Sequence, residues 1–294
     1  MSFIQYLISG ISLGSVYALI ALGYTMVYGI AKMLNFAHGD VIMVGGFTTY
    51  TICSTLGLHP IIGIIVSVVV CTLLGITIEK IAYKPLRKAS SPLAVLITAI
   101  GVSYLLQNLA LLIFGANAKS FTSVVSMEPI KLADGQLSIT GETIVTIVCC
   151  ILIMIGLMFF INKTKAGQAM LAVSEDKGAA QLMGINVDGT IALTFAIGSA
   201  LAAIAGVLLC SAYPSLTPYT GSMPGIKAFV AAVFGGIGSI PGAFIGGILL
   251  GVIEILSKAY ISSQMSDAIC FAVLIIVLLV KPTGLLGKNI QEKV

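Results

Sequence analysis

Residues 141–161, GETIVTIVCCILIMIGLMFFI, are the stretch that decides the fold class of this chain. The stretch carries one charged side chain, at its start, and it has about the 20 residues that an α-helix needs to cross the ~30 Å hydrocarbon core of a bilayer. Comparable apolar runs lie near residues 4–30, 60–83, 92–114, 190–212 and 264–281. These six runs predict membrane-spanning helices.

Three further apolar segments are less regular. Runs 36–56 and 241–258 are rich in glycine or interrupted by polar groups, and 225–238 is short enough to be a packed span or a re-entrant segment. We therefore predict an all-α, polytopic transmembrane bundle of eight or nine spans with glycine-rich broken segments. Residues 1–294 are expected to form a single transmembrane domain.

Composition supports this class of protein and excludes others. Of the 294 residues, 58% are hydrophobic and 9% are charged, and the mean hydropathy is +1.11, far outside the range of soluble domains. The first apolar run is long and has no basic residue before it, so we interpret it as a retained span and not a cleaved signal peptide. No stretch is large enough to fold into a nucleotide-binding or ligand-capturing domain, so an energy source or receptor is expected on another chain.

No pattern in the sequence indicates catalysis. The two histidines, His38 and His59, lie in no zinc-protease motif, and neither a phosphate loop nor a nucleophile elbow occurs. The six cysteines all lie in apolar runs without metal-site spacing and are interpreted as packing residues. We expect a protein that is not an enzyme and that needs no metal or other cofactor.

The distribution of basic residues predicts the orientation, because cytoplasmic loops collect lysine and arginine. Eleven of the fifteen basic residues lie at Lys32 or in segments 80–91, 162–189 and 281–294. Placing these segments inside puts the C-terminus and the 162–189 loop in the cytoplasm and the N-terminus outside, which favours nine crossings. The other four, Lys119, Lys131, Lys227 and Lys258, then fall on the outer side. The net charge of +4 is thus a topology signal and indicates no nucleic-acid partner.

A polar, helix-forming segment interrupts the apolar runs at 172–186, AVSEDKGAAQLMGIN. Gly184 is placed where a glycine ends a helix. The apolar face of this short helix, formed by Val173, Ala180, Leu182 and Met183, needs a protein partner to cover it. We interpret the segment as a contact site for a separate protein.

Two broken segments are candidates for the transport pathway or its gate. In the first, Asn35 is expected to cap a helix and Asp40 to complement the positive helix N-terminus, near the membrane interface. His38 beside Asp40 offers a second interpretation, a proton relay. The other segment, GGIGSIPG at 235–242, holds too many glycines for a regular helix, and irregular backbone survives at membrane depth only inside protein or beside a water-filled cavity. The candidate residues of the second segment are Gly235, Gly236, Gly238, Pro241 and Gly242.

Small residues recur four apart in Gly10 and Gly14, in Gly242 and Gly246, and in Gly247 and Gly251. Such faces let helix backbones approach closely in lipid, so we expect helix packing there.

Glu254 is the only acidic residue well inside an apolar run. An unpaired carboxylate would be costly there, and Lys258 stands four residues later. An i,i+4 ion pair is the simplest expectation.

Four blocks, taken in order, resemble the membrane permeases of Liv-type importers, the ATP-binding-cassette systems for branched-chain amino acids. The blocks are GISLGSVYALIALGYTMVYGIAKMLNFAHGD, AVSEDKGAAQLMGINVD, GIKAFVAAVFGGIGSIPGAFIGGILLGVIE and KPTGLLG, which together cover nearly the whole chain.

The resemblance implies a role that the residues alone do not give. Such permeases work in the bacterial cell membrane with a second, homologous permease subunit, two cytosolic ATPases and an extracytoplasmic binding protein that delivers the amino acid. The polar segment is then similar to the coupling helix, a relative of the EAA motif of importers. Its recognisable positions are occupied by Glu175, Asp176, Ala179, Ala180 and Gly184.

Two alternatives stay open at the level of sequence. One is a permease of the same architecture for urea or short amides, which shares these blocks. The other is an ion-coupled secondary transporter, which also uses broken helices and would need a buried acidic ion site; Glu254 is the one residue that fits.

Overall fold

The computed structural model describes residues 3–88, 92–125, 127–132 and 137–287. Lys288 and Lys293, which were counted with the inner charges, lie outside these ranges. The described α-helices are α1 (Phe3–Ala31), α2 (His38–Tyr50), α3 (Pro60–Ile78), α4 (Pro92–Phe114), α5 (Gly141–Lys163), α6 (Lys165–Glu175), α7 (Lys177–Leu182), α8 (Val187–Ala212), α9 (Ser222–Gly235), α10 (Ile240–Tyr260) and α11 (Ser266–Val280).

Short π-helical turns extend α2 over Thr51–Thr55 and α3 over Glu79–Tyr83, and a 3₁₀ turn follows at Pro85–Lys88. Two small antiparallel strand pairs join the loops. Strand β1 (Lys119–Ser120) pairs with β4 (Ser215–Leu216), and β2 (Ile130–Leu132) pairs with β3 (Leu137–Ile139).

The prediction of an all-α, polytopic membrane protein is confirmed. Among the described residues, six helices are long and apolar enough to cross a membrane: α1, α3 with its π turn, α4, α5, α8 and α10. Two runs differ from their predictions. The run 264–281, predicted to be a regular span, forms only the 15-residue α11, and the glycine-rich run 241–258, predicted to be irregular, lies in the regular 21-residue α10. The glycines of α10 do not break the helix; they form the surface that packs against α1 and α9.

Helices α1 and α8 are the most buried of the long helices, and α4 and α5 are the least buried. The exposed side chains of α4 and α5 are large and apolar, for example Leu112, Ile113 and Leu152. Lipid is as apolar as these side chains, so this exposure is what a membrane-embedded face requires.

Two of the three expected glycine pairs, Gly10/Gly14 and Gly247/Gly251, pack α1 against α10, and the third, Gly242/Gly246, packs α10 against α9. A Cβ placed on Gly14 would lie 2.6 Å from the Cα and the O of Ile248, and one on Gly10 would lie 2.8 Å from the Cα of Val252. Gly251 in turn packs directly against the backbone of Gly14. The two helices therefore touch through their backbones, which is the packing that the glycine spacing predicted.

The bundle has two chemically distinct ends. At the basic end, Lys177 Nζ on α7 donates to the carbonyl of Ala31, the last residue of α1, at 3.0 Å. Also at this end, Lys84 after α3 pairs with Asp188 at the start of α8, at 2.9 Å. The opposite end, which we call the loop end, carries the β1–β4 pair that joins the loops after α4 and α8.

Candidate functional site

Two helices begin part-way along α1 and not at an end of the bundle. Helix α2 begins at His38, whose ring lies against Gly23. Gly23 is about 12 Å from the basic end of α1, at 1.5 Å per residue. Helix α9 begins beside α2, where Gly221 packs directly against Gly39. Such interrupted helices free backbone groups inside a transporter, at the depth where substrates bind.

A polar junction, which we define as Asp40, Gln107 and Ser222, joins α2, α4 and α9 at this point. The Nε2 atom of Gln107 donates to Oδ1 of Asp40 at 2.9 Å and to Oγ of Ser222 at 3.3 Å. Asp40 lies in the first turn of α2 and is buried, so the positive end of the helix stabilises its carboxylate. The junction thus connects three helices through one amide side chain.

The expected cap at Asn35 is wrong. The N-cap position of α2 is Ala37, which makes no side-chain capping bond, and Oδ1 of Asn35 accepts a hydrogen bond from the hydroxyl of Tyr83 at 3.0 Å. His38 and Asp40 are both buried in the protein. Lys32, with φ 58°, turns the chain back so that it re-enters the bundle beside α1.

His38 packs edge-on against the ring of Tyr24, with 4.6 Å between ring centroids. In the part of the chain that the structure describes, its Nε2 atom has no hydrogen-bond partner, and no hydrogen bond joins it to Asp40. The proton-relay hypothesis therefore lacks a direct link between these two groups.

The glycine-rich segment forms a tight hairpin between α9 and α10. Helix α9 ends at Gly235, and Gly236 and Gly238 adopt positive φ values of 106° and 92°. Helix α10 then begins at Ile240 with Pro241 in its first turn, where the missing N–H is no loss. Gly242 packs against Gly235 so closely that a side chain on either would displace backbone.

The chain after α11 covers this hairpin. The amides of Leu285 and Leu286 donate to the carbonyls of Phe234 and Gly235, both at 2.9 Å. These bonds satisfy carbonyls that the end of α9 leaves without helical partners. The predicted break at 235–242 is thus an ordered turn held by the KPTGLLG segment.

An ionic cluster near the loop end consists of Lys227, Glu254, Lys258 and Asp267. Oε1 of Glu254 accepts from Lys227 at 2.8 Å and from Lys258 at 2.6 Å, and Lys227 also pairs with Asp267 at 2.7 Å. The hydroxyl of Tyr17 donates to Oε2 of Glu254 at 2.9 Å.

The expected Glu254–Lys258 pair is present in this cluster, but sequence analysis missed three of its partners, Tyr17, Lys227 and Asp267. Lys227 was assigned to the outer side and is in fact buried in α9. The position of Lys227 inside the apolar run 225–238 was the signal that could have indicated a buried ion pair, since buried charges require partners. With two lysines bound to it, Glu254 is not the unpaired ion site that an ion-coupled carrier would need.

The polar segment folds as two short helices at the basic end. Val173 of α6 and Ala180 of α7 are buried against this same chain, so the expectation that they need an outside partner is wrong for those two residues. Leu182 and Met183, by contrast, are 89% and 82% exposed. Gly184, with φ 81°, ends the segment in the left-handed conformation that its sequence predicted.

Asp176 separates α6 from α7 and caps the second helix. Its Oδ1 atom accepts from the amides of Gly178 at 2.7 Å and Ala179 at 3.0 Å, while Glu175 beside it is exposed. Partial burial, together with nearby Arg87 and Lys32, lowers the pKa of the Lys177 ammonium below its usual value. The residues of this segment therefore have three roles: Asp176 caps α7, Val173 and Ala180 pack in the interior, and Leu182 and Met183 form an exposed tip.

Asp176→Ala is expected to weaken α7 by about 1 kcal/mol, because it removes the acceptor of two helix N-terminal amides. Amide hydrogen exchange over residues 177–183 should then accelerate about fivefold, whereas Asp176→Ser, which keeps a capping oxygen, should change it little. Glu175→Ala is the matched control. Equal acceleration in that control would contradict the capping role.

A second charged network ties α3 to α8 at the basic end. Arg87 contacts the buried carboxylate of Glu79 and, at 2.5 Å, Oδ1 of Asp188. The start of α8, which directly follows the polar segment, is therefore tied to the end of α3, and Lys177 ties the segment itself to the end of α1.

Comparison with known proteins gives a consistent result over the whole chain. A family model described as the permease component of branched-chain amino acid transport systems matches residues 6–278. The high-affinity branched-chain amino acid transport system permease proteins LivH of Escherichia coli K12 and of Salmonella typhimurium are each 46% identical over 302 aligned positions, with 99% of this chain and 98% of theirs covered. The corresponding protein BraD of Pseudomonas aeruginosa is 43% identical, with the same coverage.

Among solved structures, the chain is similar to one from PsaBC of Streptococcus pneumoniae in complex with Fab. The TM-score is 0.50 at 15% sequence identity, and the match covers 95% of this chain and 92% of that one. At this identity the likeness concerns the fold alone.

Proposed function

Because the chain belongs to the family of branched-chain amino acid transport system permease components, we propose that it is the membrane-spanning permease subunit of an ATP-driven importer of leucine, isoleucine and valine. Near-complete alignment with the LivH and BraD permeases at 43–46% identity carries this conclusion. The same alignment favours amino acids over urea or short amides. Residues 1–294 act as one transmembrane permease domain in this proposal.

The orientation follows from the charged ends of the bundle. Lys32, Lys84, Arg87 and Lys177 gather at the basic end, and cytoplasmic surfaces collect such residues. The basic end, with the 162–189 loop and the C-terminus, therefore faces the cytoplasm in our proposal. The loop end faces the extracytoplasmic binding protein.

The 162–189 loop is proposed to be the contact with the ATPases. Its helices are fixed to the permease by buried Val173 and Ala180 and by the bond from Lys177 to the end of α1. Its tip presents Leu182 and Met183, two large apolar side chains, next to the capped α7. A rigidly held apolar tip can transmit a displacement of the ATPase to α1 and α8.

The complete importer is proposed to hold this chain, a second homologous permease, two cytosolic ATPases and an extracytoplasmic binding protein. ATP binding by the ATPase pair shifts the bundle between outward-facing and inward-facing states, through its differential affinity for the two. The polar junction and the hairpin at 235–242 are the elements proposed to line or gate the pathway. The supporting observations are the helix starts inside the bundle and the backbone contacts of their glycines.

Replacing both Leu182 and Met183 with aspartate is the experiment that tests this proposal. Truncating apolar anchors at the centre of an interface costs about 2 kcal/mol or more, so the ATPases should bind roughly thirtyfold more weakly and uptake of radiolabelled leucine should collapse. ATPase co-purification in mild detergent and leucine uptake in cells are the measurements.

The matched control is aspartate at Leu56 and Leu58, two exposed leucines between α2 and α3 at the loop end. This pair should leave ATPase binding intact. Undiminished ATPase binding and uptake in the Leu182/Met183 variant would refute the coupling role, and failure of the unaltered system to take up any branched-chain amino acid would refute the function itself.

A further inference from the structure

A cavity of about 200 Å³ lies beside the ionic cluster near the loop end, between α1, α8, α9 and α10. One wall is polar and is formed by Tyr17, Glu254 and Lys258. The apolar wall includes Leu13, Leu209 and Pro224. The volume is below the 300 Å³ or more that is usual for drug-sized ligands, so it suits a much smaller ligand such as a single amino acid.

The charges of the ionic cluster balance. Lys227 is held between Glu254 and Asp267, and its side chain is only 8% exposed. The side chain of Lys258 is 39% exposed, and the structure gives it one ion pair, to Oε1 of Glu254. Lys258 can therefore move away without breaking the buried pair of Lys227 and Glu254.

We propose that this cavity binds the substrate amino acid as a zwitterion, a proposal that rests on the importer function proposed above. The α-ammonium takes the place of Lys258 at Glu254, and the released Lys258 donates to the α-carboxylate. A zwitterion adds no net charge to a balanced cluster, and the exchange replaces one ion pair with two. A ligand carrying only one of these charges would leave an uncompensated charge in a partly buried site, which is costly.

The apolar wall explains a preference for branched aliphatic side chains. Each methylene buried there strengthens binding roughly fourfold, so leucine should bind far more tightly than alanine. The cavity lies at the end of the bundle that faces the binding protein in the proposed orientation. It is thus placed to receive the amino acid when it enters the bundle from that end.

The test measures binding to the intact importer complex in lipid nanodiscs, with ATPases present and without nucleotide or binding protein. The probes are radiolabelled leucine and, as competitors, leucinamide, which lacks the carboxylate, and 4-methylpentanoate, which lacks the ammonium. We expect leucine to bind at least tenfold more tightly than either competitor, as expected where a buried charge loses its partner.

Lys258→Met supplies the signature that a purely structural role would not produce. It should lower the ratio of leucine affinity to leucinamide affinity by roughly thirtyfold, because leucine loses the lysine that holds its carboxylate, whereas leucinamide no longer leaves a displaced Lys258 without a partner. Lys258→Arg, which keeps the charge, should retain the preference for leucine. Lys131→Met, at an exposed lysine of β2, is the matched control.

Three results would overturn the proposal: an unchanged ratio of leucine to leucinamide affinity in Lys258→Met, no leucine binding to a complex that imports leucine normally, and competition by leucinamide or 4-methylpentanoate as strong as that by leucine. Each leaves the importer function standing, because leucine uptake by the complete system is measured separately. The competitor series on the unaltered complex needs no substitution, so it decides the matter even when a variant fails to fold.

Discussion

Gly14→Val is expected to lower the free energy of unfolding of this protein by about 3 kcal/mol or more, as overpacking does in well-packed interiors. A Cβ at this position would lie 2.6 Å from the backbone of Ile248, and the backbone of α10 cannot yield as the end of a flexible side chain can. Helices α1 and α10 would have to separate along their whole glycine face. Monodisperse yield and thermal stability in detergent measure the effect.

Gly156→Val is the matched control for that substitution. Gly156 lies on α5, and within the described part of the chain a Cβ there would meet no atom within 4 Å outside its own helix neighbourhood. It should fold and unfold as the original protein does. Equal stability of the Gly14 and Gly156 variants would show that the close α1–α10 contact is not required.

Glu254→Ala is expected to destabilise the protein by about 3–5 kcal/mol, because it leaves a buried ammonium without its main partner. Lys227 would keep Asp267, whose side chain is 42% exposed, and would lose the buried carboxylate at 2.8 Å. The hydroxyl of Tyr17 would lose its acceptor as well. The midpoint of thermal aggregation in detergent, followed by size-exclusion chromatography, is the measurement.

A double replacement distinguishes the effect of the lost ion pair from the effect of the lost side-chain volume. Lys227→Met combined with Glu254→Leu removes both buried charges and keeps apolar bulk, so it should recover most of the lost stability. Glu128→Ala, at an exposed residue of the loop between α4 and α5, is the neutral control. Failure of the double variant to exceed Glu254→Ala in stability would contradict the ion-pair explanation. This stability effect is the reason that the binding test uses Lys258 and not Glu254.

Several features of the fold were predictable because lipid imposes a simple rule. Backbone N–H and C=O groups that cross the bilayer must form hydrogen bonds within the protein, so a long apolar run predicts a helix and few other structures. The bounds of α5, α8 and α4 lie within a few residues of the predicted runs. The glycine spacing of α1 and α10 predicted their packing for the same reason, since small residues are what lets helices associate in lipid.

The sequence also determined the family, through blocks spread over the whole chain, and the end of the polar segment at Gly184. It could not show which residues from distant parts of the chain become neighbours. Tyr17 and Glu254 are 237 positions apart, and Asp40 meets Gln107 and Ser222 only because α2 and α9 both begin inside the bundle. Hydropathy reports the length of a segment in lipid and carries no information on its lateral neighbours. Those neighbours decide whether a charge such as Lys227 is exposed at the surface or paired in the interior, and only the tertiary structure fixes them.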